Sequence, residues 1–250
     1  MTARRTMERE PVSAPARGEL RYWTELGRLL ADPRFHRVAP GHDPRPVLLI
    51  PGFLAGDASL TALAGWLRRR GHRVRGSGMR INVGCAGREL TRLETKLAEF
   101  DRPPIVIGQS RGGTLARALA AGHPDSVTGL VTLGSPVRDP LAVSPSVLRT
   151  VRSFARLGDL GVRGVFSRDC RDGACCAEFR SLLEAPLDPD LPTLAVYSRS
   201  DGIVDWRACL DPDASCVEID GSHCGMAVNP GVYRQLEDLL DRTEATTSRR

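Results

Sequence analysis

The sequence predicts an α/β fold, with a mostly parallel central sheet and helices on both faces. Strand-like and helix-like stretches alternate from residue 47 to residue 241, a pattern satisfied by parallel strands joined through helices. The strand candidates are short apolar runs such as Ile105-Val106-Ile107, the signature of strands buried on both faces. With 250 residues, 41% of them hydrophobic, the chain can build one sizeable core more readily than two small ones.

Taken in order, residues 1–16 are polar and rich in Arg and Pro, and a disordered tail is expected there. A single domain is expected over 17–242. Leu20, Trp23, Leu26, Leu29 and Leu30 recur at helical spacing, which predicts an amphipathic helix over 19–30 that Asp32-Pro33 ends. A connector leads to the strand Val47–Ile50 and the loop Pro51-Gly52-Phe53-Leu54-Ala55-Gly56. Asp57 is placed to cap a helix that buries Leu60, Leu63 and Leu67. His72-Arg73-Val74-Arg75 opens the next strand, and Leu90, Leu93, Leu97 and Phe100 mark a second amphipathic helix. The run Ile105–Ile107, an Ala- and Leu-rich helix over 114–120, and a strand over 127–133 follow. Residues 137–190 lack a strong strand and hold weak helical segments at 147–157 and 177–183. They read either as a cap over a pocket or as a plain helical excursion, and the sequence leaves that choice open. Strands at Thr193–Tyr197 and Ser215–Ile219, a helix carrying Val232, Leu236, Leu239 and Leu240, and a polar tail over 243–250 complete the chain.

Composition narrows the function classes. The net charge is +5, and 34 of the 35 basic residues are arginines, Lys96 being the exception. They are spread along the chain with few aromatics between them, so nucleic acid is not the expected partner. No G-x-G-x-x-G follows a strand and no Walker-type loop is present; no cofactor is expected. No apolar run reaches the length of a membrane span, and no apolar core follows the charged first residues, so a cytoplasmic location is expected. Seven cysteines stand at 85, 170, 175, 176, 209, 216 and 224. Free thiols are the default, a disulfide among Cys209, Cys216 and Cys224 is an alternative, and the spacing of Cys170 and Cys175-Cys176 does not suggest a metal site.

The chemistry centres on Gly108-Gln109-Ser110-Arg111-Gly112. The motif is short enough to arise by chance, but here a buried strand precedes it and a helix follows it. A serine on so tight a strand-to-helix turn is presented at the top of the sheet, at a helix N-terminus. Downstream stand Ser198-Arg199-Ser200-Asp201-Gly202-Ile203-Val204, after a strand, and Gly221-Ser222-His223, after the last strand. With Pro51–Gly56, these four ordered motifs resemble the α/β-hydrolase superfamily, in its bacterial lipase and esterase branch, over roughly residues 45–241. The first two strands of the full fold are missing from the pattern, and Pro51 stands where many members carry His.

The resemblance implies a triad in the order Ser110, Asp201, His223, with Ser110 as nucleophile, His223 as base and Asp201 as its orienting acid. His36 and His42 precede the first strand, and His72 and His123 lie in helix-to-strand connections. Asp205 is the competitor for the acid. An oxyanion needs two donors, usually backbone N–H groups. Arg111 supplies one, and Phe53 is the choice for the other, with Leu54 second; Pro51 has no N–H to offer. The expected activity is cleavage of a small carboxylic ester with an apolar acyl group. The same machinery would serve a thioesterase or an acyltransferase, and a non-catalytic binding protein on the same fold is the alternative from another class.

Overall fold

The computed structural model describes residues 16–37, 41 and 44–247. The expected tail over 1–16 lies outside them except for Ala16, as does His42. Six strands form one sheet: β1 (Val47–Ile50), β2 (Val74–Gly76), β3 (Ile105–Gln109), β4 (Gly129–Leu133), β5 (Thr193–Tyr197) and β6 (Ser215–Glu218). All pairings are parallel, in the order β2-β1-β3-β4-β5-β6. β1, β3 and β4 are buried along their whole length, as their unbroken apolar runs require, whereas the edge strand β6 (Ser-Cys-Val-Glu) is largely exposed.

Alternate residues of each central strand feed two cores. Val47, Leu49, Ile105, Ile107, Val131 and Leu133 face one side. There they meet α1 (Tyr22–Ala31), α2 (Pro33–His36), α3 (Thr61–Arg69) and α9 (Pro230–Thr247) through residues such as Leu29, Phe35, Leu63 and Leu236. Leu48, Ile50, Val106 and Leu130 face the other, against α4 (Ala86–Leu97), α5 (Arg111–Gly122) and α8 (Ala177–Glu184). The insertion between β4 and β5 also contains α6 (Pro145–Asp159) and the single turn α7 (Asp169–Asp172).

Three expectations are revised. The helix expected over 19–30 is a 3-10 turn (Ala16–Arg21) followed by α1, and Leu20, Trp23 and Leu30 stay exposed while Leu29 is buried. Asp57 opens a 3-10 turn, and its carboxylate accepts instead from Ser77 N–H and hydroxyl and from Gly78 N–H, which ties the β2 exit down. The closing helix runs to Thr247, through most of the segment expected as a tail. Within 137–190, α8 buries Phe179 and Leu183 in the core layer beside α5, while the part before it meets the loops after β1 and β5, through Phe154 and Phe166 at Phe53 and through Val143 at Val204. No helix among the described residues is long and apolar enough to cross a membrane.

Candidate active site

β3 is central, and the turn at its carboxyl end carries Ser110 with φ +53 and ψ −124, a conformation that side chains other than Gly rarely adopt. The backbone holds it there: Ser110 N–H donates to Leu133 O at the end of β4, at 2.8 Å. The flanking glycines are needed for close approach. A Cβ at Gly108 would collide with the Gly112 carbonyl, and one at Gly112 with the carbonyls of Ile50 and Pro51. The turn therefore packs β3, α5 and the loop after β1 at backbone contact distance.

Asp201 and His223 come from the loops after β5 and β6, and both are buried. His223 Nδ1 stands 2.7 Å from Asp201 Oδ2. An ionised carboxylate only accepts, so Nδ1 carries the proton and Nε2 keeps its lone pair. Asp201 Oδ1 accepts from the N–H groups of Ile203 and Val204, each at 2.8 Å, which leaves Oδ2 aimed at the ring. Burial works against the imidazolium, but the charge and hydrogen bond of Asp201, with the charge of Glu19, outweigh it and hold the His223 pKa above its ordinary value. Asp205 is occupied elsewhere: its carboxylate caps the 3-10 turn Trp206–Cys209 by accepting from Arg207 N–H. Asp220 pairs with Arg21 and Ser200. Ser110 Oγ makes no hydrogen bond to His223 among the described residues, and in sites without substrate this contact is commonly long.

The two expected oxyanion donors lie on the loop after β1 and at the start of α5, which Asn82 joins. Its buried side chain donates to Pro51 O at 2.8 Å and accepts from the Arg111 guanidinium, which also donates to Gly84 O. Leu54 N–H is directed to Asn82 O at 3.4 Å, whereas Phe53 N–H makes no protein hydrogen bond among the described residues. Leu54 itself sits at φ +62, turning the loop back on itself after Phe53. The Phe53 ring packs against Phe154 of α6 and Phe166 beyond it, with centroids 5.9 and 6.0 Å apart, so the insertion supplies apolar surface beside Ser110.

Several supporting residues escaped the sequence reading. Gln109, the variable position before the serine, donates to His223 O at 3.1 Å and ties the elbow to the histidine loop. Two carboxylates from the N-terminal segment cradle that loop. Glu19 accepts from the N–H groups of Gly202, His223 and Cys224, and the buried Glu25 accepts from Ser222 N–H and hydroxyl. Nothing local marks these residues, because their partners lie about two hundred positions away. For the cysteines, free thiols match the default expectation and the convergence of four of them does not. All seven are free, so Cys209, Cys216 and Cys224 form no disulfide, and the thiols of Cys85, Cys170, Cys175 and Cys176 converge.

Comparison with known proteins agrees with this architecture. The alpha/beta hydrolase fold family matches residues 97–170, which span the elbow. The lipase BlEst2 of Bacillus licheniformis, in its mature form, superposes with a TM-score of 0.60 at 15% identity, covering 81% of this chain and 94% of that one. A monoacylglycerol lipase of Paleococcus ferrophilus gives 0.55 at 14% identity, covering 83% and 96%. An alpha/beta hydrolase from a lagoon-sediment metagenome gives 0.51 at 19%, covering 80% and 90%. No curated protein matches at the sequence level. The chain has the α/β-hydrolase fold.

Proposed function

We propose that the protein is a serine hydrolase that cleaves a carboxylic ester with an apolar acyl group. The observation that carries the reading is the buried 2.7 Å contact of Asp201 with His223, on the loops that flank a serine held at φ +53. Two lipases with the same fold give it general support.

In this reading Ser110 Oγ attacks the acyl carbon while His223 Nε2 takes its proton, and Asp201 stabilises the imidazolium that forms. The oxyanion accepts from the N–H groups of Phe53 and Arg111. Collapse of the tetrahedral intermediate expels the alcohol, to which His223 returns the proton, and leaves an acyl-enzyme on Ser110. Water, deprotonated by His223, then releases the acid and regenerates the serine. Phe53, Phe154 and Phe166 would line the acyl side.

A fluorophosphonate probe combined with p-nitrophenyl ester turnover tests this. Wild type is expected to label and Ser110→Ala to lose labelling. Asp201→Asn should lose about 10⁴-fold in kcat, and Asp205→Asn should lose little. A folded, monodisperse wild type that neither labels nor turns over would refute the reading. Equal losses in the two aspartate variants would refute the choice of acid. Parallel ester and acyl-thioester series separate a hydrolase of esters from one of thioesters.

A further inference from the structure

We propose that Cys85, Cys170, Cys175 and Cys176 form a tetrathiolate site for one Zn²⁺, a structural staple that fixes the insertion before α8 to the loop preceding α4. The four sulfur atoms lie within 4.8 Å of one another. Cys85 Sγ is 3.4 Å from Cys176 Sγ, and Cys175 Sγ is 3.7 Å from Cys170 Sγ and 3.9 Å from Cys176 Sγ. A tetrahedral ion with Zn–S bonds of about 2.3 Å sets its sulfurs about 3.8 Å apart. The observed spacings bracket that value, and all are much longer than the S–S bond of a disulfide, about 2.05 Å.

The surroundings suit thiolates as well as the spacing does. Cys85 is the N-cap of α4, a 12-residue helix, so its sulfur sits at the positive end of the helix dipole. Backbone N–H groups of Arg88 and Gly87, in the first turn of that helix, lie toward the sulfurs of Cys85 and Cys176. Gly87 leaves room for the turn to lie against the Cys175 carbonyl, where a Cβ would collide. A zinc tetrathiolate carries two negative charges, and the Arg111 guanidinium, bonded to Gly84 O next to Cys85, lies on the same side. Amide-to-sulfur hydrogen bonds and a nearby cation are the outer-shell features that stabilise such a centre. With four protein ligands the site has no open position, so it is structural rather than catalytic.

The sequence conceals this site because three ligands are clustered at 170–176 while the fourth lies 85 residues upstream of the first of them. In the fold, the ion would join the turn at α7 and the turn before α8 to the loop 82–85. That loop already carries Asn82 and Gly84, the partners of Arg111. Phe166 N–H also donates to Val83 O at 2.8 Å, so the staple lies beside the point where the insertion touches the site's framework.

The test is metal content and cobalt spectroscopy on the full chain purified under reducing conditions without chelator. One zinc per chain is expected, retained through gel filtration, and Co²⁺ added to the stripped protein should give tetrahedral tetrathiolate absorption bands. Cys85→Ser and Cys170→Ser should each reduce zinc from one per chain to near none, while Cys216→Ser and Cys224→Ser keep it. Wild type needs no variant to fold: thiol titration in denaturant with chelator should find all seven thiols. Finding only Cys209, Cys216 and Cys224 free would mean disulfides and overturn the proposal. So would folded, reduced wild type that holds no zinc and gives no cobalt bands, or one that carries iron in its place.

Discussion

At the scale of the residue, the histidine loop shows how far the candidate site extends beyond the groups proposed to react. His223 is held from one side by Asp201 and from the other by the backbone bonds to Glu19, and both carboxylates favour the charged ring. As the general base of the proposed mechanism, His223 works in its neutral form, so its raised pKa moves the acidic limb of kcat/KM upward in pH. Glu19→Gln removes one source of that rise. Its acidic limb should move to lower pH, with a smaller rate loss than Asp201→Asn produces, and a pH profile of ester turnover checks this. The linkage to stability has the matching sign: a folded pKa above the unfolded value, about 6.5, stabilises below that value and is lost as pH rises through the folded pKa. In the proposed mechanism Glu19 is a positioning residue, and a change confined to overall stability with an unmoved pH profile would deny it that role.

At the scale of the element, α5 serves two ends of the molecule. Its N-terminus presents Ser110, and its middle carries Arg117, buried among apolar neighbours. Arg117 meets Asp211 through Nε at 2.6 Å, reaches Asp213 at 2.9 Å and donates to the carbonyls of Leu183 and Ala185. One guanidinium therefore joins α5, the end of α8 and the turn before β6. Breaking such a pair leaves Asp211 buried and unpaired, so Arg117→Ala should cost about 3–5 kcal/mol of unfolding free energy in a urea titration. The solvent-facing pair of Arg75 with Glu99 should matter far less. Helix positions were legible from periodicity: α3, α4 and α9 bury the Leu and Val spacings that marked them, such as Leu90, Leu93 and Leu97. The N-terminal segment was read less well. Its apolar residues Leu20, Trp23 and Leu30 remain at the surface, while two glutamates in and beside α1 take the inward contacts. Hydrophobic spacing signals a buried face but carries no information about a carboxylate recruited by distant amides.

At the scale of the whole molecule, the stretch before α8 is anchored where it could shape the pocket. At its root, Val143 bridges Val204 on the Asp201 loop, and Ser144 N–H donates to Ile203 O at 2.7 Å. Farther along, Phe154 and Phe166 cover Phe53. If this stretch forms the acyl wall, Phe166→Ala should raise KM for a medium-chain ester by about 10-fold relative to acetate while leaving kcat nearly unchanged. An acyl-chain series on the folded variant measures it, and an equal effect on both esters would remove the insertion from the pocket.

The sequence by itself determined the parallel α/β alternation, the position of the elbow and the loops that carry Asp201 and His223. These are local properties: apolar period, β-branched runs, and the Gly-x-Ser-x-Gly pattern whose glycines the backbone approach requires. Only the tertiary structure decided which carboxylate faces the imidazole, because Asp201 and Asp205 differ in where their loop turns and not in their type. It also brought Glu19 to the histidine, Asn82 to the loop after β1, and Cys85 to three cysteines of a distant insertion. Each of these contacts joins residues that neither period nor spacing relates, since the sheet order and the packing of the insertion, rather than the chain, make them neighbours.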